Sequence, residues 1–343
     1  MRLKWDREPS HQPDENLWPA SKWEDCRAAG VFRWVVPPEA GGDGQPADHL
    51  LDGCVELARA NLTVAFILSQ YQAACHRLAA GHPGPRQYLP QLATGDAFTT
   101  VGLSHLTTSR QYSSQPAVLA EPTARGYRLT GSIPWVTGGR RATVLVLGAT
   151  LSDGRQLLAA VPADRPGLSV AAPMSLLALN GSETGPVELD GVEIGEEEII
   201  AGPQPQVLQT GGTAGTGSLT TTALAVGHAL ACVDQLRKEA TLRPALLDFV
   251  GTFEGDVESL RHTVLLASRG LAGSEDKAET LRARATSLAL NASQAVVTVS
   301  KGAGFVAGHP AGRLAREALF FLVWSCPQAV ATQLLRGFSQ CDE

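Results

Sequence analysis

Between residues 219 and 299 the apolar side chains return at heptad spacing three times over, and this periodicity constrains the fold more than any other feature of the chain. Leu219, Ala223, Val226, Leu230 and Val233 form one stripe, and Val257, Leu260, Val264, Ala267 and Leu271 a second. Ala278, Leu281, Ala285, Leu288, Ala292, Ala295 and Val299 form the third. A stripe of this period runs along one face of a helix and must be buried against another element. Three such helices need a fourth, which Leu314, Ala318 and Phe321 supply. Residues 206–343 are therefore expected to form an antiparallel four-helix bundle with a short terminal helix. The string Ser325-Cys326-Pro327-Gln328 reads as a capping box with proline in the first turn, so one helix should end near Trp324 and another begin there.

Upstream the period changes twice. Residues 98–205 carry short β-branched runs separated by turn residues, at 99–103, 127–129, 143–150, 156–161 and 187–189. With no long helical pattern between them, they predict an antiparallel β-barrel or sandwich. Residues 1–97 are helical again. The clearest pattern there spans 50–78, with Leu51, Val55, Ala58, Leu62, Ala65 and Leu68 on one side. It is preceded by Val35-Val36-Pro37-Pro38-Glu39-Ala40-Gly41-Gly42, where prolines and glycines forbid regular structure. The expected fold class is α+β, as an N-terminal helical domain, a central β-barrel domain and a C-terminal bundle.

Composition narrows the partners. With 28 Lys plus Arg against 34 Asp plus Glu, the net charge of −6 is unsuited to a phosphate backbone, so no nucleic acid is expected. The longest stretch free of charged residues, 199–233, carries Gly211, Gly212, Gly215, Gly217 and a run of threonines and is too polar to span a membrane. Residues 1–8 mix both charge signs without an apolar core, so no secretory signal is expected and the cytoplasm is the default. The six cysteines include no C-x-x-C pair, which argues against a metal centre and for reduced core thiols.

Several local strings, in order along the chain, resemble those of the acyl-CoA dehydrogenase superfamily. Val36-Pro37-Pro38-Glu39-Ala40-Gly41-Gly42-Asp43-Gly44 is similar to that family's V-P-x-E-x-G-G-x-G loop, and Glu56-Leu57-Ala58-Arg59-Ala60 to the helix after it. Gly126-Tyr127-Arg128-Leu129-Thr130-Gly131, followed by Trp135-Val136-Thr137-Gly138-Gly139, resembles the G-x-x-x-x-G-x-K-x-W-I-T-N-G signature. Gly181-Ser182-Glu183-Thr184 and Asp190-Gly191-Val192 resemble the G-S-x-T and F-D-x-V strings.

The resemblance implies a homo-oligomer, dimer or tetramer, with FAD between the β-domain and the bundle, its adenosine half reaching a neighbouring subunit. It implies that Trp135, Val136 and Thr137 flank the isoalloxazine, with the Thr137 hydroxyl near N5, and that Leu103 and Ser104 lie beside the pyrimidine ring. Gly302-Ala303-Gly304-Phe305 resembles the G-G-x-G-Y turn that touches the partner's cofactor. The implied reaction removes a proton from an acyl thioester, of CoA or a carrier protein, while flavin N5 takes a hydride.

Two departures bear on that chemistry. Aligning Arg316-Glu317 with the family's Arg-Asp pair and Trp324 with its aromatic residue puts Ser325 on the position of the catalytic glutamate, and serine cannot act as that base. The alternative base position, on the first bundle helix before Gly227, falls near Gly217, where no acid exists. The phosphate-binding R-x-x-F-G string appears as Glu239 to Arg243 with Leu242-Arg243 in place of Phe-Gly, which puts FAD binding in question. His105 is a weak candidate for a replacement base and His228 a weaker one. Cys326 reads as an inert thiol more than as a nucleophile, and Glu317 as the partner of Arg313 one turn before it. Three readings follow: a flavin-dependent acyl thioester oxidoreductase, a flavin-dependent monooxygenase on the same fold, and a flavin-free scaffold or partner subunit.

Overall fold

The computed structural model describes residues 16–106, 116–208 and 219–339. The position near Gly217 weighed as an alternative base site, residues 1–8 and Cys341 lie outside that set. Five helices come first: α1 (Ala20–Ala28), α2 (Ala47–Ala60), α3 (Leu62–Ala80), and the short α4 (Pro83–Arg86) and α5 (Leu89–Thr94). Eight strands follow: β1 (Thr99–Gly102), β2 (Val118–Pro122), β3 (Gly126–Val136), β4 (Val144–Leu151), β5 (Gln156–Pro162), β6 (Leu168–Val170), β7 (Gly185–Gly195) and β8 (Ile199–Gln204). The chain closes with α6 (Leu219–Leu242), α7 (Leu247–Ser268), α8 (Ala278–Ser300), α9 (Pro310–Phe320) and α10 (Gln328–Ser339). The fold class is α+β, with helical N- and C-terminal parts around a central sheet.

The single apolar pattern of 50–78 is two helices. Asn61, in an extended conformation, ends α2, and its side-chain oxygen accepts from the Val64 N–H at 3.0 Å, capping α3. The apolar period continues across the break, which is why it reads as one helix.

The strands form one mixed sheet in the order β6-β7-β3-β2-β4-β5-β8, with β1 added on β4. Five of its pairings are antiparallel, but β1 and β2 both run parallel to β4, a departure from the purely antiparallel expectation. Strand β4 explains how the sheet serves two cores. Its side chains alternate, and Val144 and Val146 join the core shared with the helices, whereas Leu145, Leu147 and Ala149 join the core on the other face. A strand apolar at nearly every position is what burial on both faces requires.

In the bundle the predicted stripes face inward at Val226, Leu230, Val233, Val257, Leu260, Val264, Leu281, Ala285 and Ala292. Leu271 falls past the end of α7 and is exposed. Helix α9 stops at Phe320, four residues before the expected end, and Ser325 has φ of 45° where an N-cap needs an extended backbone. Helix α10 begins at Gln328 itself, later than a cap at Ser325 would start it, and the Gln328 amide reaches Thr332 at 3.4 Å.

Helix α2 is fastened to the bundle through charge and close approach. Arg59 pairs with Asp234 of α6 at 2.6 Å, and Arg261 of α7 bonds Asp52 at 2.6 Å and Glu56 at 2.8 Å. The backbones of α2 and α6 meet at Gly227, where a Cβ would sit 2.3 Å from the Val55 carbonyl oxygen and 2.7 Å from Ala58 Cβ. Since neither a carbonyl nor a buried Cβ can yield, Gly227→Ala is expected to cost about 1–3 kcal/mol, read as a lower urea midpoint with an unchanged slope.

Candidate active site

A cavity of about 1090 Å³ opens where the sheet edge meets α2, α3, α6 and α9. The sheet contributes Leu103 and Ser104, which follow β1, and Trp135 and Thr137 at the end of β3. Thr184, just before β7, stands beside them, its hydroxyl 3.1 Å from that of Thr137 and 2.8 Å from that of Ser182. Three hydroxyls sharing two hydrogen bonds leave one O–H uncommitted. Trp135 remains 46% exposed, as a ring does that forms the wall of an open slot. Val136 is buried on the opposite side of the strand, where it joins the core of the sheet and not the cavity.

The far wall is aromatic. Phe66 of α3 packs edge-on against Phe320 at 4.8 Å and Trp324 at 4.9 Å, and those two stack at 5.0 Å with planes 15° apart. Ser325 follows Trp324 into the lining, so the structure brings the sequence-aligned base position to the cavity. The backbone bearing it is held by Arg282 of α8, which is fully buried and donates through Nη2 to the carbonyls of Phe321 (3.0 Å) and Trp324 (3.1 Å). Burial lowers the Arg282 pKa to about 10, and it stays charged at neutral pH.

Other candidates lie elsewhere. His105 is buried with Nε2 3.0 Å from the Gly148 carbonyl and is absent from the lining, so it is not positioned as a base. Gly302 and Gly304 sit in the turn Lys301–Phe305, also away from the cavity. Burial raises the Cys326 thiol, against a nucleophilic role.

His228 stands in a buried group with the outline of a catalytic triad. Its Nε2 lies 3.7 Å from Cys232 Sγ and its Nδ1 3.6 Å from Glu317 Oε2, and Glu317 also accepts from Arg313 Nη1 at 3.0 Å, as its sequence position predicts. The electrostatics run the wrong way. Burial, then the charge of Arg313, drives His228 down to about 3, and burial pushes the Cys232 thiol up, so both are neutral and no water or substrate reaches them. The group is structural.

Among the described residues no Asp or Glu lines the cavity. Its basic wall consists of Arg77 and His76 on α3, neither singled out by the sequence, and Arg316 on α9, which the sequence used only as an alignment mark. The pKa of His76 is lowered by burial and by the neighbouring Arg77, which keeps the imidazole neutral at pH 7. It lies ten residues beyond Phe66, about 15 Å along the helix at 1.5 Å per residue, too far to replace a base at the Ser325 corner. A helical His-Arg pair gives no signal of facing a cavity; only an apolar neighbour at each flanking turn hints at it.

The slot at the sheet edge fits the tricyclic cofactor implied by the resemblance, offering apolar surfaces from Leu103 and Trp135 and uncommitted hydroxyl capacity at Thr137 and Thr184. At the altered phosphate string, Leu242 is exposed and Arg243, just past the end of α6, pairs with Glu239 on that helix.

No protein-family model matches the chain. A mitochondrial isovaleryl-CoA dehydrogenase of Oryza sativa subsp. japonica is 25% identical over 340 residues, covering 91% of this chain and 80% of the relative. The structure of a glutaryl-coenzyme A dehydrogenase in its glutaryl-CoA complex superimposes with a TM-score of 0.79 at 20% identity, over 94% of this chain and 87% of the other. A dibenzothiophene monooxygenase from Paenibacillus sp. A11-2 superimposes with a TM-score of 0.75 at 17% identity, over 94% and 89%.

Proposed function

From a chain whose relatives and fold both point to the acyl-CoA dehydrogenase superfamily, we infer a flavin-dependent oxidoreductase that acts on an acyl thioester. The observation that carries the reading is the cavity, whose volume of about 1090 Å³ exceeds the range of roughly 300–1,000 Å³ usual for one ligand and leaves room for a ring system and a substrate together. Bound there, a flavin supplies two-electron redox chemistry. Leu103, Ser104, Trp135 and Thr137 hold its ring, and the aromatic wall of Phe66, Phe320 and Trp324 excludes water and receives an apolar chain. We assign the flavin as FAD. In this reading the turn Lys301–Phe305, in which Gly304 is buried while Phe305 is exposed, reaches the cofactor of a second copy, in keeping with a homo-oligomer.

A specific observation favours a second reading. With serine at the base position and no carboxylate in the described wall, α-proton abstraction lacks its usual agent, whereas oxygenation on the same fold does not require one.

The first test is the cofactor content of the native protein. A yellow protein releasing FAD on denaturation supports the reading; one that stays colourless after titration with FAD and FMN removes both flavin readings. Anaerobic bleaching by acyl-CoA then supports dehydrogenation, while resistance to thioesters with oxygen consumption in the presence of a flavin reductase supports oxygenation. Ser325→Glu places a carboxylate in the cavity wall at a residue with φ of 45°. It should raise thioester dehydrogenation at least about tenfold, the usual lower bound for one general base being about a hundredfold and the strained backbone taking back part of it.

A further inference from the structure

Gln72 and Arg77 form the least explained part of the cavity wall. Gln72 is 6% exposed; its Oε1 accepts from the Cys54 thiol at 3.4 Å, while its Nε2 is sealed from solvent with no partner. A buried amide N–H without an acceptor is costly and marks a place where an acceptor belongs. Arg77 is 8% exposed, and among the described residues its side chain bonds only the Ala73 carbonyl of its own helix, from Nη1 at 2.7 Å. That bond engages one of five donors. No carboxylate pairs with Arg77 among the described residues, although burial only lowers its pKa to about 10 and the guanidinium keeps its charge. Across the cavity stands Arg316, and the described lining contains no acid. A chain of net charge −6 has thus placed the buried positive charge of Arg77 in the cavity wall.

We propose that Gln72 and Arg77 form a subsite for an anionic oxygen group, a carboxylate or a phosphate, carried by the substrate at the end of an apolar chain. The assignment rests on the cavity being the substrate site. Such a group accepts from the sealed Gln72 amide and from the free edge of the guanidinium, the geometry that planar oxyanions satisfy two bonds at a time. The apolar lining takes the chain behind it. His76, neutral beside Arg77, adds a further polar contact without cancelling the charge.

The test is binding, without turnover, on the full-length protein as isolated and after saturation with FAD. Hexanoate, hexanamide and hexyl phosphate are titrated calorimetrically at pH 7 into the wild type, Arg77→Met, Arg77→Lys and Gln72→Leu. The wild type should bind an anionic probe at least about tenfold more tightly than the amide, the step expected of a charge-assisted hydrogen bond. Arg77→Met should lose that preference, Gln72→Leu should reduce it, and Arg77→Lys should retain part of it. A stronger response to hexanoate assigns a carboxylate, and one to hexyl phosphate assigns a phosphate. Equal binding of amide and anions by the wild type overturns the proposal, as does an unchanged preference in Arg77→Met. Loss of the preference on saturation with FAD also overturns it, because Arg77 then serves the cofactor. Because no probe requires redox chemistry, a colourless protein with intact anion preference separates failure of the flavin reading from failure of this one. Arg77→Met removes a buried unpaired charge and should remain folded, which its thermal melt verifies.

Discussion

Arg282→Ala is expected to destabilise the protein by about 3–5 kcal/mol, the cavity left by a large buried side chain adding to the cost of the acceptors it leaves unpaired. The side chain is wholly buried, with its guanidinium 5.5 Å above the Phe321 ring. It supplies hydrogen bonds to the carbonyls of Phe321 and Trp324 and a longer one, 3.4 Å, to that of Thr221. The Phe321 and Trp324 carbonyls lie just past the end of α9, where helical partners have run out and a side chain must take over; Thr221 is in the first turn of α6. Truncation leaves a void and two or three unpaired acceptors. Arg282→Met fills most of the void and should lose only about 1–3 kcal/mol, the desolvation cost of the acceptors. Urea unfolding of the two variants measures the difference; equal losses would mean that carbonyl capture, not packing, is the role of Arg282, and a Met variant as stable as the wild type would mean the reverse. Because Trp324 and Ser325 follow directly, both variants should also weaken ligand binding in the cavity.

The second large effect is acid destabilisation through His228. Its pKa in the folded chain is lowered to about 3 from 6.5, first by burial and then by Arg313. The unfolded chain therefore binds this proton first as pH falls. The stability contributed by His228 is complete above pH 6.5 and is lost progressively between there and about pH 3. At about 1.4 kcal/mol per unit, the loss by pH 3 is on the order of 4 kcal/mol. His228→Leu should flatten the stability profile between pH 6 and 4 relative to the wild type while leaving the Glu317–Arg313 pair in place. Parallel profiles for the two proteins would show that Glu317, 3.6 Å away, stabilises the imidazolium enough to cancel the burial penalty.

Much of the architecture was legible because burial leaves a period. The stripes of α6, α7 and α8 and the apolar runs of β1, β4 and β5 repeat at 3.6 or 2 residues, and repetition survives local irregularity. Strands β2, β6 and β8 left no such trace. β6 has only three residues, β2 ends on Pro122 and β8 is interrupted by Gly202 and Pro203; they exist because β7, β3 and β5 offer ladders to pair with. The parallel pairing of β1 and β2 with β4 was equally hidden, since strand direction depends on where intervening chain travels. At the site, Leu103, Ser104, Trp135, Thr137 and Ser325 could be found by register with a family's strings. Gln72, His76 and Arg77 could not.

The pair Arg282 and Arg284 shows where the boundary falls. Both stand in the string Leu281-Arg282-Ala283-Arg284-Ala285, and both read as the solvent face of a helix. Arg284 is on the surface, 3.2 Å from Asp276, while Arg282 is fully buried under the end of α9. The sequence determined that α8 forms and which stripe enters the bundle, because those follow from spacing along one helix. Which remaining face meets water, another helix or a cavity was decided by the tertiary structure, because covering a face takes atoms from chain far away in sequence.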